Sequence, residues 1–176
     1  MPAPSGTNDS PRRPHWLQIV TIGRNPQTTL VRIVILVALC VVVFHFILLP
    51  VRVDGISMEP TYNDHSINFV NRLAFLWRPP RRGDIVAVRY AGIHLMLMKR
   101  IVGLPGETIA FDHGRVLING RPLDEPYEKW KSDWTLPPEQ IATNEYFVVG
   151  DNRTMPPQDH TFGRVNEDRI VGKILL

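Results

Sequence analysis

From Ile33 to Val51 the sequence reads IVILVALCVVVFHFILLPV, 19 residues with no formal charge and one histidine, His45. As a helix this run measures roughly 28 Å, about the thickness of a bilayer's hydrocarbon core. No amphipathic stripe marks a face for a protein core, so the run predicts a single transmembrane span. A cleaved leader would carry a shorter apolar region ending in small residues, whereas this one ends in bulky ILLPV. Cys40, the only cysteine, follows bulky Leu39 where a lipoprotein signal needs a small residue, and reads as a small hydrophobe within the span. A lone cysteine also excludes an intrachain disulfide.

The formal charge of +3 lies ahead of that span. Residues 1–32 hold Arg12, Arg13, Arg24 and Arg32 against Asp9 alone, which leaves 16 basic and 16 acidic residues in the remainder. So balanced a remainder shows no nucleic-acid footprint. The arginine bias keeps residues 1–32 in the cytoplasm as a polar, mobile tail and puts residues 52–176 outside the cell membrane. Beyond Val51 come short runs rich in branched and aromatic residues, among them SINFVNR, DIVAVRY, HLMLMKRIVG, ETIAF, RVLING and EYFVVG, parted by Gly, Pro and Asn. Asn119-Gly120 signals a tight turn, and Asp112-His113-Gly114 joins two strands as a hairpin. The expected architecture is therefore a mostly β, antiparallel domain with hairpins over 52–176, standing on one N-terminal helix over 33–51. Leu73 to Trp77, LAFLW, either rests on the lipid interface or packs into the domain core.

Two residues after the apolar run, VDGISMEPT sets Ser57 in a turn flanked by Gly55 and Pro60. The six histidines form no metal-ligand spacing, and neither a metal nor a cofactor is expected. No G-x-S-x-G elbow occurs either. Lys99 stands out: in a strand it shares a face with Leu95, Leu97 and Ile101, the one charge in an apolar row. Such a lysine is either an edge-strand guard with its amine in water or a desolvated amine. Burial lowers a lysine's pKa by about 3 to 5 units, and a neutral amine takes a proton from a serine hydroxyl without any histidine.

These residues resemble a family, the bacterial-type signal peptidase I, membrane-anchored leader peptidases with a Ser/Lys dyad. GISMEPT matches its serine box, RRGDIVAV at 81–88 its R-G-D box, MKRIVGLPGE at 98–107 its lysine box, and GDNR with FGRV at 150–153 and 162–165 its C-terminal box. The boxes stand in the family's order from about residue 50 onward. The resemblance implies the antiparallel β fold shared with the self-cleaving SOS repressors, Ser57 as nucleophile and Lys99 as general base. It implies an oxyanion held by the Ser57 N–H, since Gly55 offers no second hydroxyl. Met58 matches a residue packed beside the dyad, and Arg100 with Asp151 an ion pair that positions the lysine strand. Asn152 belongs to the same support, and Gly103, Gly106 and Gly150 read as turn formers.

The sequence departs from the family after GDNR. Pro156 replaces a serine whose hydroxyl orients the lysine, Gln158 an aspartate and His160 an arginine, with Thr154 the nearest hydroxyl. His160 is thereby a rival base. The implied substrates are secreted preproteins, whose leaders end in small residues and would bind as an extended strand against Leu97 and Met98. Membrane lipid and the secretion translocon are the implied neighbours. Two other readings are a self-cleaving repressor, against which the membrane span stands, and a catalytically silent or specialised peptide-binding homologue, suggested by the altered C-terminal box.

Overall fold

A computed structural model describes residues 26–91, 95–157, 160 and 162–175. Two units divide the chain, one ending at Val42 and one running from Val43 to Leu176. In the first, α1 (Pro26–Val42) opens on a proline, which suits a first turn whose N–H groups have no partner in any case. A π-helical turn, Val43–Ile47, follows it. Gln27–Ile47 together form a helical stretch of 21 residues, long and apolar enough to cross a membrane.

Helical structure stops four residues before the expected end at Val51. Leu48–Arg52 form strand β1 instead. Pro50 accounts for the shift, since it has no N–H for a helix and biases Leu49 toward extended backbone. At the other end Pro26–Arg32 are helical, though the sequence reading put them in the tail; the rest of that tail lies outside the described residues.

The second unit is built from two antiparallel sheets. One has seven strands in the order β1, β2 (Ile67–Asn71), β11 (Ile170–Leu175), β3 (Ile85–Ala91), β4 (Leu95–Gly103), β9 (Glu145–Val149) and β10 (Gly163–Asn166). The other has four, in the order β7 (Arg121–Pro122), β6 (Arg115–Ile118), β5 (Thr108–Asp112) and β8 (Leu136–Gln140). The β5–β6 hairpin turns through His113 and Gly114, and β6–β7 through Asn119 and Gly120, all four at positive φ. That is the backbone a two-residue hairpin needs, and the reason Asn-Gly marks it in sequence.

Three apolar clusters hold the unit together. Phe111, Phe147, Trp134 and Ile141 centre the first, beneath the small sheet. Met58, Tyr62, Val70, Ile85, Ala87 and Ile174 form the second, and Val86, Val88, Ile101, Tyr146 and Val148 the third. LAFLW divides between the two expected roles: Phe75 packs against the third cluster, while Leu76 and Trp77 are exposed.

Candidate active site

Ser57 lies in a single 3-10 turn, Ile56–Met58, entered through Gly55 at φ +115, a value that a side chain would strain. Asp64 Oδ1 accepts the Gly55 N–H at 2.7 Å and fixes the entry. Met58 is buried in the second cluster and anchors the exit. The turn is therefore pinned on both sides of the serine, which is itself partly exposed.

A second clamp comes from the chain after β9. Asn152 donates its backbone N–H to the Ser57 carbonyl (3.0 Å) and its Nδ2 to the Ile56 carbonyl (3.1 Å). Asp151, fully buried, accepts Arg100 Nε and NH2 at 2.7 and 2.6 Å and the Thr61 hydroxyl. Such a two-pronged contact fixes direction as well as distance. Arg100 also donates to the Gly83 carbonyl and lies 3.8 Å from the centre of the Tyr127 ring. One carboxylate thus ties the lysine strand to the turn that grips the serine.

Two of the three glycines expected as turn formers have another reason to be glycine. Gly106 has φ +80 and does turn the chain. Gly103, the last residue of β4, has no room for a side chain: a Cβ there would stand 2.3 Å from Ile141 Cδ1. At Gly150 a Cβ would stand 2.2 Å from the Ser57 carbonyl oxygen. Close approach of the backbone to the nucleophile's residue, rather than φ, requires glycine there.

Lys99 is 3% exposed, and its Nζ lies 2.8 Å from Ser57 Oγ in a hydrogen bond. Register places it opposite Val86, with Leu97 opposite Val88, so the amine leaves an apolar face of the sheet. Burial pushes its pKa down to about 8, against the attraction of Asp151. A substantial neutral fraction near neutral pH follows, and a neutral amine has a lone pair for a hydroxyl proton.

His160 is buried as well, and burial together with the cations Lys99 and Arg153 pushes it down to about 3. The ring lies against the backbone of Asn152 and of His160 itself, and the Ser57 hydroxyl pairs with Lys99. Pro156 is exposed, and the Thr154 hydroxyl donates to Asn152 Oδ1 at 2.7 Å. Gln158 lies outside the described residues.

Beside Lys99 the large sheet has an open edge. Arg100 pairs with both β3 and β9, and Ile101 and Gly103 pair with β9; from Leu95 to Lys99 β4 pairs with β3 and, among the described residues, with no strand on its other side. β1 is an edge strand too, paired among the described residues only with β2. A cleft of about 260 Å³ lies along both, lined by Val51, Arg52, Ala87, Met96, Leu97, Met98 and Ile174 among others. At its rim Asp54, Asp64 and His65 come within ligand reach of one another, but they are surface groups already paired among themselves and with Arg52.

Sequence reasoning missed three contributors. Thr61 belongs to the serine box, yet nothing in its spacing announces a bond to Asp151. Tyr127 and Glu125 stand in a stretch without strand periodicity, and reach the site only because the loop after β7 folds back over Arg100 and Arg153.

Comparison with known proteins places the chain in a family. The family model described as "Signal peptidase, peptidase S26" matches residues 27–176. Signal peptidase I T of Bacillus subtilis (strain 168) is 36% identical over 151 residues, 80% of this chain and 78% of that one. Signal peptidase I of Bacillus amyloliquefaciens is 39% identical over 131 residues, 69% and 70% of the two chains. Signal peptidase I of Leptolyngbya laminosa is 34% identical over 128 residues, 68% of this chain and 63% of its own length. A crystal structure of a signal peptidase I from Enterococcus faecalis V583 aligns with a TM-score of 0.46 at 28% identity, over 56% of this chain and 98% of that one. The chain belongs to the signal peptidase I family of serine peptidases, peptidase S26.

Proposed function

We propose that this chain removes signal peptides from secreted preproteins, with Ser57 as nucleophile and Lys99 as general base. The observation that carries the reading is the 2.8 Å contact between a buried, pKa-lowered amine and the serine hydroxyl. Neutral Lys99 takes the Ser57 proton as Oγ attacks the scissile carbonyl carbon. The oxyanion is held by the Ser57 backbone N–H. Lys99 then returns the proton to the leaving amine nitrogen, which departs with the mature protein and leaves the signal peptide esterified to Ser57. Water attacks the ester, Lys99 accepts its proton, and Ser57 recovers one as the carboxyl product leaves. No histidine enters these steps.

The signal peptide adds as a strand along the open edge of β4 from Leu95 to Lys99, by main-chain pairing. Small side chains before the cleaved bond suit a cleft floored by Ala87, Met96 and Met98. Gln27–Ile47 anchors the enzyme in the cell membrane, with the arginine-rich end in the cytoplasm and the peptidase domain outside. Lipid and the translocon are the surroundings in which substrate arrives. Protease added to intact cells digests the β domain if that orientation holds; a protected domain refutes it.

The test is incubation of the purified chain in detergent with a preprotein, followed by N-terminal sequencing of the product. Ser57→Ala and Lys99→Ala each lower cleavage at least about 10³-fold while the protein stays folded, as expected for members of one catalytic unit. Lys99→Arg fails as well, because guanidinium does not deprotonate in proteins. A Lys99→Ala variant that cleaves, beside a His160→Ala variant that does not, makes the enzyme a Ser/His peptidase instead.

A further inference from the structure

The Arg100–Asp151 pair is the joint between the two halves of the site. Arg100 follows Lys99 on β4, and Asp151 precedes Asn152, whose N–H grips the Ser57 carbonyl. Movement of either partner therefore moves the amine or the nucleophile's turn. A planar guanidinium donates along its edges, and here the edges are engaged: Nε and NH2 with Asp151, NH1 with the Gly83 carbonyl. Its faces have no N–H to offer and are left for stacking.

Tyr127 covers one of those faces, with its ring centre 3.8 Å from Arg100 Cζ. A cation so placed is drawn to the ring, the more strongly when water is kept away, and Arg100 is only 8% exposed. The loop that carries the ring is pinned along its length. The Leu123 N–H bonds to the Val116 carbonyl of β6, and the Glu128 N–H closes a turn on the Glu125 carbonyl at 3.0 Å. Glu125 Oε1 accepts both the Tyr127 hydroxyl, at 2.8 Å, and Arg153 NH2, at 2.6 Å. Arg153 in turn donates Nε to the Gly150 carbonyl at 2.8 Å, so the loop is fastened to the segment 150–153 that holds Asp151 and Asn152. Burial and the nearby Glu125 push the Tyr127 phenol up, which keeps it a donor.

We propose that Tyr127 is a positioning residue for the dyad: its ring covers the guanidinium of Arg100, keeps water from the Arg100–Asp151 pair, and so holds Lys99 and Ser57 at their 2.8 Å contact. This role rests on the Ser57/Lys99 reading. Tyr127 lines neither the substrate cleft nor the small cavity beside Lys99, so it acts through Arg100. Asp151 favours the ammonium form of Lys99, and burial disfavours it. Water at the bared guanidinium loosens the pair and relieves the burial, and both changes favour the ammonium form. The other groups facing the amine do not oppose this. His160 is held neutral by burial, and Arg164 and Arg169 on the cavity wall keep their charge. Glu128, its carboxyl pushed up by burial, answers to Arg153, Glu125 and Lys131.

The test compares Tyr127→Ala, which bares the guanidinium face, with Tyr127→Phe, which keeps the ring and loses the hydroxyl. Each is assayed as the full chain in detergent on a preprotein across pH, with its thermal midpoint measured alongside. Tyr127→Ala is expected to lower kcat at least about fivefold with KM within about twofold. It also moves the acidic limb up by about half a pH unit or more. Tyr127→Phe keeps most of the kcat and the limb of the parent. A folded Tyr127→Ala with unchanged kcat overturns the proposal, as does a fall in kcat with the limb unmoved, which a merely structural role would give. A Tyr127→Phe as impaired as Tyr127→Ala overturns it too, since the ring would then not be what matters. Lys99→Ala separates the two claims: activity without Lys99 refutes the dyad, whereas a dead Lys99→Ala beside a fully active Tyr127→Ala refutes only the positioning role. If Tyr127→Ala does not fold, Tyr127→Leu, apolar but without a ring, carries the same expectations. If neither folds, the ring's part is structural and the proposal falls.

Discussion

Burial holds Lys99 at a pKa of about 8 in the folded chain, against 10.5 for the free side chain. The folded state therefore binds fewer protons than the unfolded state between those values, and stability rises with pH across that window. Below pH 8 the fold bears the full penalty of a desolvated ammonium, on the order of 3 kcal/mol. Lys99→Met removes the penalty along with a hydrogen bond worth about 1 kcal/mol. It is therefore expected to abolish cleavage and yet raise the unfolding free energy by about 2 kcal/mol at pH 7, a gain that fades between pH 8 and 10.5. Denaturant titrations of both proteins at pH 7 and 10.5 check this, and a destabilised Lys99→Met at pH 7 contradicts it. Single residues were legible in the sequence where local pattern and a motif coincide. Lys99 broke an apolar row, and Ser57 stood between Gly55 and Pro60. The supports were legible only in part, because Arg100 and Asp151 lie in recognisable boxes whereas Thr61, Glu125 and Tyr127 depend on how distant loops meet.

Strand β4 changes character along its length, and that change makes the cleft. Its second half pairs with β9, beginning at Arg100 where β3 pairs too, and its first half is an edge that shares a cleft with β1. Alternation of residue types reveals a strand but not which edge lacks a neighbour, since pairing is decided by where β9 ends, at Val149. The hairpins were legible because Asn119-Gly120 and His113-Gly114 need positive φ, a local property. The end of the membrane helix was misjudged because hydropathy continues through Leu48 and Leu49 while Pro50 has already forced extended backbone. If substrate pairs with the open edge, N-methylation of a signal-peptide amide that bonds β4 removes one hydrogen bond and places a methyl against the strand. Cleavage of such a peptide is expected to fall at least about tenfold through KM, given a typical contribution of about 1 kcal/mol plus the clash. Methylation at the alternate amides, which face away from the edge, leaves KM near its original value. Equal effects at both sets contradict strand addition.

At the scale of the whole domain, the large sheet closes through its last strand. β11 lies between β2 and β3, so residues more than 80 apart in sequence must pair before the two halves of the sheet meet. Asp84 secures that junction. Its buried carboxylate takes Lys173 of β11 at 2.8 Å and Arg78 at 2.8 Å, and it accepts the Arg81 backbone N–H. Burial by itself would raise its pKa, but these three donors outweigh burial and hold it at about 2. A carboxylate depressed from 3.8 to about 2 contributes stability that is complete above the unfolded value and is lost as pH falls through the folded one. The contribution is about 2 kcal/mol. Asp84→Asn keeps the shape, removes the charge and leaves Lys173 and Arg78 without their anion. Its unfolding midpoint is expected to lie well below that of the parent at pH 7, by about 2 kcal/mol or more in free energy, and the two proteins are expected to converge as pH falls from 4 to 2. Thermal or urea unfolding at pH 7, 4, 3 and 2 measures the gap. A gap that stays constant across those pH values would assign the stability to packing around Asp84 and not to its charge.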